Sequence, residues 1–123
     1  MYDLTVKLEF SAAHRLLGYQ GKCEELHGHN WKVEVTVRSR ELDKIGMVVD
    51  FKILKNKLDS VLKKMDHKYL NNISYFKKTN PTSENIASFI YANLKSSFRS
   101  SHYKLYKVTV RETDNNYATY WEE

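Results

Sequence analysis

The sequence predicts an α+β domain, and three observations carry that reading. Two long segments near the start alternate apolar with polar residues, two central segments repeat apolar residues at helical spacing, and alternation returns before the end. Side chains of a strand point alternately to opposite faces, whereas a helix collects apolar residues three and four apart.

The first segment places Tyr2, Leu4, Val6, Leu8, Phe10 and Ala12 on one parity and Asp3, Thr5, Lys7, Glu9 and Ser11 on the other. That pattern is a half-buried strand, and His14 continues its apolar parity. After a loop punctuated by Gly18 and Gly21, Trp31, Val33, Val35 and Val37 share one side, with Lys32, Glu34, Thr36 and Arg38 opposite. His27 and His29 lie on the apolar parity of this second strand.

From Phe51 the period lengthens. Phe51, Leu54, Leu58, Val61, Leu62 and Met65 form one helical stripe, capped by Asp50 and running out near Asp66–His67. Residues 71–80 read as a loop. A second helix follows Pro81, with Thr82 or Ser83 as cap and Ile86, Phe89, Ile90, Asn93 and Leu94 facing inward. Tyr106, Val108 and Val110 mark a third strand with Glu112 on the same parity. Asp114-Asn115-Asn116 is turn chemistry, and Tyr117 to Trp121 return as a fourth strand. The order is β-β-α-α-β-β: one domain over residues 1–123, a four-stranded antiparallel sheet with two helices packed on one face. So small a sheet exposes two edges, and pairing with another subunit is the usual protection, so a homo-oligomer is expected.

Composition narrows the function. The chain has 123 residues, 41% hydrophobic and 28% charged, enough for a core without disulfides. No apolar run approaches the roughly 20 residues that cross a bilayer, the start lacks a signal-peptide pattern, and Cys23 is the only cysteine. A cytoplasmic protein with no membrane partner is the expectation. A net charge of +5 suits an anionic ligand. The lysines and arginines are scattered, however, and the outward strand positions mix Lys with Glu and Asp, which argues against nucleic acid.

The chemistry centres on His27-Gly28-His29. On a strand, residues i and i+2 leave the same face, so both imidazoles can address one ion, while Gly28 frees space on the other face. His14 brings a third imidazole from the preceding strand. Three imidazoles with an open fourth position describe a catalytic zinc site. Cys23, four residues before His27, sits among Gly21, Lys22, Glu24 and Glu25. It is open to three roles: a small buried residue, a thiolate base or nucleophile, or a fourth zinc ligand closing a structural site. Asp66–His67 sets a carboxylate beside an imidazole at a helix end, and reads equally as a surface pair. Glu112, on an apolar strand face, needs a partner: a Lys or Arg, or the amidine-like edge of a ligand.

Together these residues resemble the 6-pyruvoyl-tetrahydropterin synthase and 6-carboxy-tetrahydropterin synthase family. The matching stretches are Phe10-Ser-Ala-Ala-His14, Cys23-x-x-x-His27-Gly-His29, Gly46-Met-Val-Val-Asp50-Phe51, Asp66-His67-x-x-Leu70-Asn71, Pro81-Thr-Ser-Glu-Asn85 and the strand ending in Glu112. They occur in family order over nearly the whole chain. The resemblance implies the tunnelling fold (T-fold), assembled as a hexamer of paired trimers with active sites between subunits. It implies that His14, His27 and His29 hold Zn2+, that Cys23 moves a proton on the substrate side chain, and that Asp66 and His67 complete the relay. Glu112 would anchor the pterin ring, with Thr82 and Ser83 near the same edge.

Three residues separate Cys23 from His27-Gly-His29, as in the bacterial carboxy synthases; eukaryotic pyruvoyl synthases have five. The implied reaction converts 7,8-dihydroneopterin triphosphate to 6-carboxy-5,6,7,8-tetrahydropterin, acetaldehyde and triphosphate, on the route to queuosine. Cys23-Glu24 also resembles a bacterial subgroup in which this Glu is associated with 6-hydroxymethyl-7,8-dihydropterin, made for folate synthesis. The reading from another class is a non-catalytic zinc module closed by Cys23. Arg15, Lys22, Lys77 and Lys78 are unranked candidates for the triphosphate.

Overall fold

A computed structural model describes residues 1–18, 25–98 and 102–123. Strands β1 (Tyr2–His14) and β2 (His27–Ser39) pair antiparallel along their full length, from Tyr2 against Ser39 to His14 against His27. Helix α1 (Phe51–Leu62) follows, then the two-residue strand β3 (Lys68–Tyr69), helix α2 (Ser83–Lys95), and strands β4 (Lys104–Arg111) and β5 (Tyr117–Trp121). The sheet order is β3-β1-β2-β4-β5.

The alternation sorts the residues as expected. Val6, Phe10, Ala12 and His14 of β1 and Trp31, Val33, Val35 and Val37 of β2 are buried, and Val108 and Val110 extend that layer on β4. Leu54, Leu58, Val61 and Leu62 of α1 and Ile86, Phe89, Ile90 and Leu94 of α2 close over it. Each such side chain contributes about 1.5–3 kcal/mol by leaving water. The Asp50 carboxylate accepts from the Lys52 N–H at 2.8 Å, and Thr82 Oγ1 accepts from the Asn85 N–H at 3.1 Å. Thr82, rather than Ser83, is therefore the cap of α2.

The other face of the sheet is polar and internally paired. Arg111 meets Glu34 at 2.6 Å, Lys32 meets Asp114 at 2.6 Å, and Arg38 grips both oxygens of Asp3.

The sheet departs from the four-stranded antiparallel expectation in one place. β3 adds a fifth strand, parallel to β1 through Ala12–Lys68 and Ala13–Tyr69. Two residues are too short to carry an alternation. Local geometry makes them a strand: His67 turns the chain with a φ of 59°, and its N–H donates to the Ser11 carbonyl at 2.6 Å. A positive φ is uncommon outside glycine and is held only where surroundings impose it. The stretch read as a plain loop contains short 3-10 turns at Leu70–Asn72 and Ser74–Lys77.

Both sheet edges are open. Among the described residues, β1 has a neighbour on its second side only at Ala12 and Ala13, and β5 pairs with β4 alone. Among the described residues, no helix is long and apolar enough to cross a membrane.

Candidate metal centre

The register that sets His14 against His27 brings three imidazoles together at the end of the helix-facing layer. Trp31 is the floor of this cluster. It is fully buried, donates Nε1–H to the Ala12 carbonyl at 3.3 Å, and lies edge-on to His14 (4.9 Å between centroids) and His29 (5.4 Å). A rigid aromatic beneath them limits the rotamers the histidines can take.

The tautomers follow from the outer partners. His14 Nδ1 stands 2.8 Å from the Pro81 carbonyl, and His27 Nδ1 stands 2.9 Å from the Glu25 carbonyl. A carbonyl only accepts, so both Nδ1 atoms carry hydrogen and both Nε2 atoms present lone pairs. Those Nε2 atoms are 3.0 Å apart. Two lone pairs in opposition repel unless a cation or a shared proton lies between them. Burial pushes the His14 imidazole below its usual pKa, against the pull of the Pro81 carbonyl, which disfavours a proton there.

His29 supplies the third nitrogen. Its Nε2 is buried and makes no hydrogen bond. Glu112 Oε1 lies only 2.9 Å from it, close enough for an ion pair but outside the direction a hydrogen bond needs. The donor atoms of His14, His27, His29 and Glu112 all lie within 4.8 Å of one another. A tetrahedral zinc site with bonds of 2.0–2.1 Å has donor-to-donor edges of about 3.3–3.4 Å. Facing lone pairs, an orphaned buried nitrogen and these separations together fit a divalent cation bound by nitrogen donors.

Glu112 enters as the first residue beyond β4, on the parity of Val108 and Val110, and its N–H donates to the Asn116 carbonyl to close the turn into β5. Its position within the histidine group was not readable from the sequence. Thr82 and Ser83 follow Pro81, whose carbonyl orients His14, so the start of α2 abuts the cluster.

Asp66 and His67 lie elsewhere. Asp66 Oδ1 accepts from the Ser11 N–H at 2.9 Å and contacts His67 Nδ1 at 3.1 Å. The Ser11 N–H, with His67 behind it, holds the Asp66 carboxyl below the usual carboxylate range. The His67 ring is largely exposed and lines a shallow cavity of about 540 Å³ with Ser11, Ala13, Gly28, His29 and Asn30. Asp66 and His67 are thus tied to the backbone of β1 at Ser11, outside the four-donor group. Gly28 opens onto this cavity. A Cβ there would meet only the Ala12 carbonyl, at an ordinary 3.8 Å, so contacts within the chain do not require the glycine.

Cys23 and Glu24, like Lys22, fall outside the described residues. The stem leading to them is nonetheless tightly held. Asn71 accepts from the Arg15 N–H at 3.0 Å and donates to the Arg15 carbonyl at 2.9 Å, and Asn80 does the same for Leu17 at 2.9 and 2.8 Å. Asn85 in turn donates to the Asn80 carbonyl at 2.9 Å. Two side-chain amides thereby extend β1 beyond its last paired residue. This role for Asn80 was missed in the sequence, where its loop setting gave no periodic signal.

Comparison with known proteins agrees with this architecture. The family model described as 6-pyruvoyl tetrahydropterin synthase matches residues 3–123. The 6-carboxy-5,6,7,8-tetrahydropterin synthase of Synechocystis is 38% identical over 98% of this chain and 94% of its own. The human 6-pyruvoyl tetrahydrobiopterin synthase is 38% identical over 93% of this chain and 87% of its own. The structure of the Caenorhabditis elegans 6-pyruvoyl tetrahydropterin synthase superposes with a TM-score of 0.81 at 34% identity, covering 100% of this chain and 98% of that one. The chain therefore belongs to the 6-pyruvoyl tetrahydropterin synthase family, with the T-fold and a tetrahydropterin synthase-type function.

Proposed function

We propose that this protein is a zinc-dependent lyase that converts 7,8-dihydroneopterin triphosphate to 6-carboxy-5,6,7,8-tetrahydropterin, with release of acetaldehyde and triphosphate. The observation that carries the reading is the convergence of three imidazoles, two of them oriented by outer carbonyls and the third with a buried Nε2 that makes no hydrogen bond. His14, His27 and His29 would hold the metal. Bound Zn2+ polarises side-chain oxygens of the substrate and lowers the cost of charge that develops when a neighbouring C–H proton leaves.

The remaining tasks fall to the chain itself. Cys23, as thiolate, takes the proton from the substrate side chain, and Asp66 and His67 return one. Glu112 accepts two hydrogen bonds from the amino-pyrimidinone edge of the ring, with Thr82 and Ser83 beside it. Relatives named for the carboxy and the pyruvoyl reaction match equally well, at 38% identity. The choice between them rests on the three residues separating Cys23 from His27, the spacing of the carboxy type.

Asp66 and His67 stand outside the four-donor group of the same chain, and both sheet edges are largely unpaired among the described residues. A homo-oligomer, a hexamer built of two trimers, answers both facts. It closes the edges and lets one copy's Asp66–His67 approach another copy's imidazoles. A cytoplasmic setting suits the phosphorylated substrate and the lone free cysteine.

Product analysis tests the reading. Zinc-loaded protein incubated with 7,8-dihydroneopterin triphosphate should give 6-carboxy-tetrahydropterin and acetaldehyde by chromatography and mass spectrometry. Pyruvoyl-tetrahydropterin or 6-hydroxymethyl-7,8-dihydropterin as the main product would overturn the carboxy assignment, and the latter would give Glu24 a catalytic part.

A further inference from the structure

On the polar face of the sheet, Arg111 pairs with Glu34 and Lys32 with Asp114, one cation to one carboxylate. The far end of the two central strands is different. There, between the end of β2 and the start of β4, a cavity of about 500 Å³ is lined by Arg38, Arg40, Glu41, His102, Lys104 and Tyr106. β2 begins at His27 and ends at Ser39, so at about 3.3 Å per residue the cavity lies roughly 40 Å along the strand from the imidazoles. Register sets Arg38 directly against Lys104, and like charges facing each other across a sheet are destabilising. Arg38 gives two of its five N–H donors to Asp3, and its guanidinium lies 3.6 Å from the centre of the Tyr106 ring. The side chains of Arg40 and Lys104 make no hydrogen bond or ion pair among the described residues, and the Glu41 carboxylate pairs with neither. The floor is fixed. Ser39 is buried, its hydroxyl bridges the Glu41 and His102 carbonyls at 2.8 and 3.2 Å, and it accepts from the Glu41 N–H at 3.1 Å.

We propose that this cavity is a second ligand site, suited to the phosphate chain of a small oligophosphate. Arg40 and Lys104 supply uncompensated charges from the ends of two strands, and Arg38 adds its three remaining N–H donors from a position that Asp3 and Tyr106 hold. Guanidinium forks and ammonium groups are the side chains that bind phosphate oxygens. The cavity has the volume of a small-molecule site, more than a single phosphate fills. A bound polyanion offsets the repulsion that Arg38 and Lys104 exert on each other across the strands. β2 and β4 are interior to the sheet order, so strand pairing at the open edges does not run across the cavity. The inference does not depend on the pterin reading.

Calorimetric titration of zinc-loaded full-length protein with inorganic triphosphate, orthophosphate and adenosine triphosphate at low salt tests this. Triphosphate should bind at least about tenfold more tightly than orthophosphate, since a chain reaches more than one cation. The double variant Arg40→Ala/Lys104→Ala should weaken triphosphate binding by at least about tenfold, with zinc content and turnover unchanged. Glu41→Gln removes the one carboxylate of the lining and should tighten binding severalfold, a gain that poor folding of a variant cannot imitate. Adenosine triphosphate separates two sources of the same chemistry. Tighter binding than triphosphate identifies a nucleotide as the ligand, and binding no tighter identifies the inorganic chain. No triphosphate binding at millimolar concentration would overturn the site. So would an affinity that the double variant leaves untouched, which places the anion elsewhere on the chain. Orthophosphate binding as tightly as triphosphate would overturn the oligophosphate assignment.

Discussion

His14 Nδ1 donates to the Pro81 carbonyl at 2.8 Å, and that one contact joins the end of β1 to the start of α2 and fixes which nitrogen faces the metal position. Outer partners of this kind hold a ligand's tautomer and direction before any metal arrives. His14→Ala should cost more than about 100-fold in zinc affinity, since loss of an outer partner alone costs about 10–100-fold. Zinc content after dialysis against a weak chelator measures it. Cys23→Ala should keep one zinc per chain and lose turnover. Loss of zinc from Cys23→Ala would favour the closed structural module instead.

The same histidine gives the metal-free protein a pH dependence. The His14 pKa is lowered in the fold, chiefly by burial. Above the unfolded value of 6.5 the residue is neutral in both states, and its full contribution is present. As pH falls through that value the unfolded chain takes up a proton that the folded chain resists, so stability declines with a slope of at most about 1.4 kcal/mol per pH unit. Urea titrations of metal-free protein between about pH 7.5 and 5.5 should show the decline, and His14→Gln should flatten it.

The amide clamps on the stem predict a separation of activity from metal binding. Asn80→Ala removes two hydrogen bonds to Leu17, about 0.5–1.5 kcal/mol each, and Asn71→Ala does the same at Arg15. Both clamp the chain that leads to Cys23. Turnover should fall by about tenfold or more while zinc content stays at one per chain, because a shift of about 1 Å in a catalytic group is costly in rate.

If sites form between copies, two inactive variants should rescue each other. His29→Ala damages the metal site, and His67→Ala damages the Asp66–His67 pair. Mixed after partial denaturation and reassembly, they should recover a fraction of wild-type turnover through hybrid sites that carry neither lesion. Absence of recovery, with mixed oligomers demonstrated by mass, would mean that each chain completes its own site.

The long periodic elements were legible because their faces are unlike. Val33, Val35 and Val37 against Lys32, Glu34 and Thr36 show which face turns inward, and His14, His27 and His29 share that parity; the pairing of His14 with His27 came from the structure. The cap of α1 was legible at Asp50, and that of α2 was narrowed to Thr82 or Ser83, of which the structure uses Thr82. β3 was not, since two residues joined to Ala12 and Ala13 depend on a left-handed turn at His67 that no hydrophobic pattern announces. Nor could parity alone show that Glu112 would reach His29, or that Asn80 would brace Leu17. Those contacts are set by where separate elements meet, and sequence spacing does not carry that information.

The central claim is that the three imidazoles hold one zinc and that this zinc is required for turnover of a dihydroneopterin triphosphate. Zinc titrated into metal-free protein, with consumption of 7,8-dihydroneopterin triphosphate followed at each addition, tests it most directly. Turnover should rise linearly and stop rising at one zinc per chain. Turnover that proceeds without metal, or one tightly bound zinc with the substrate left intact, would contradict it.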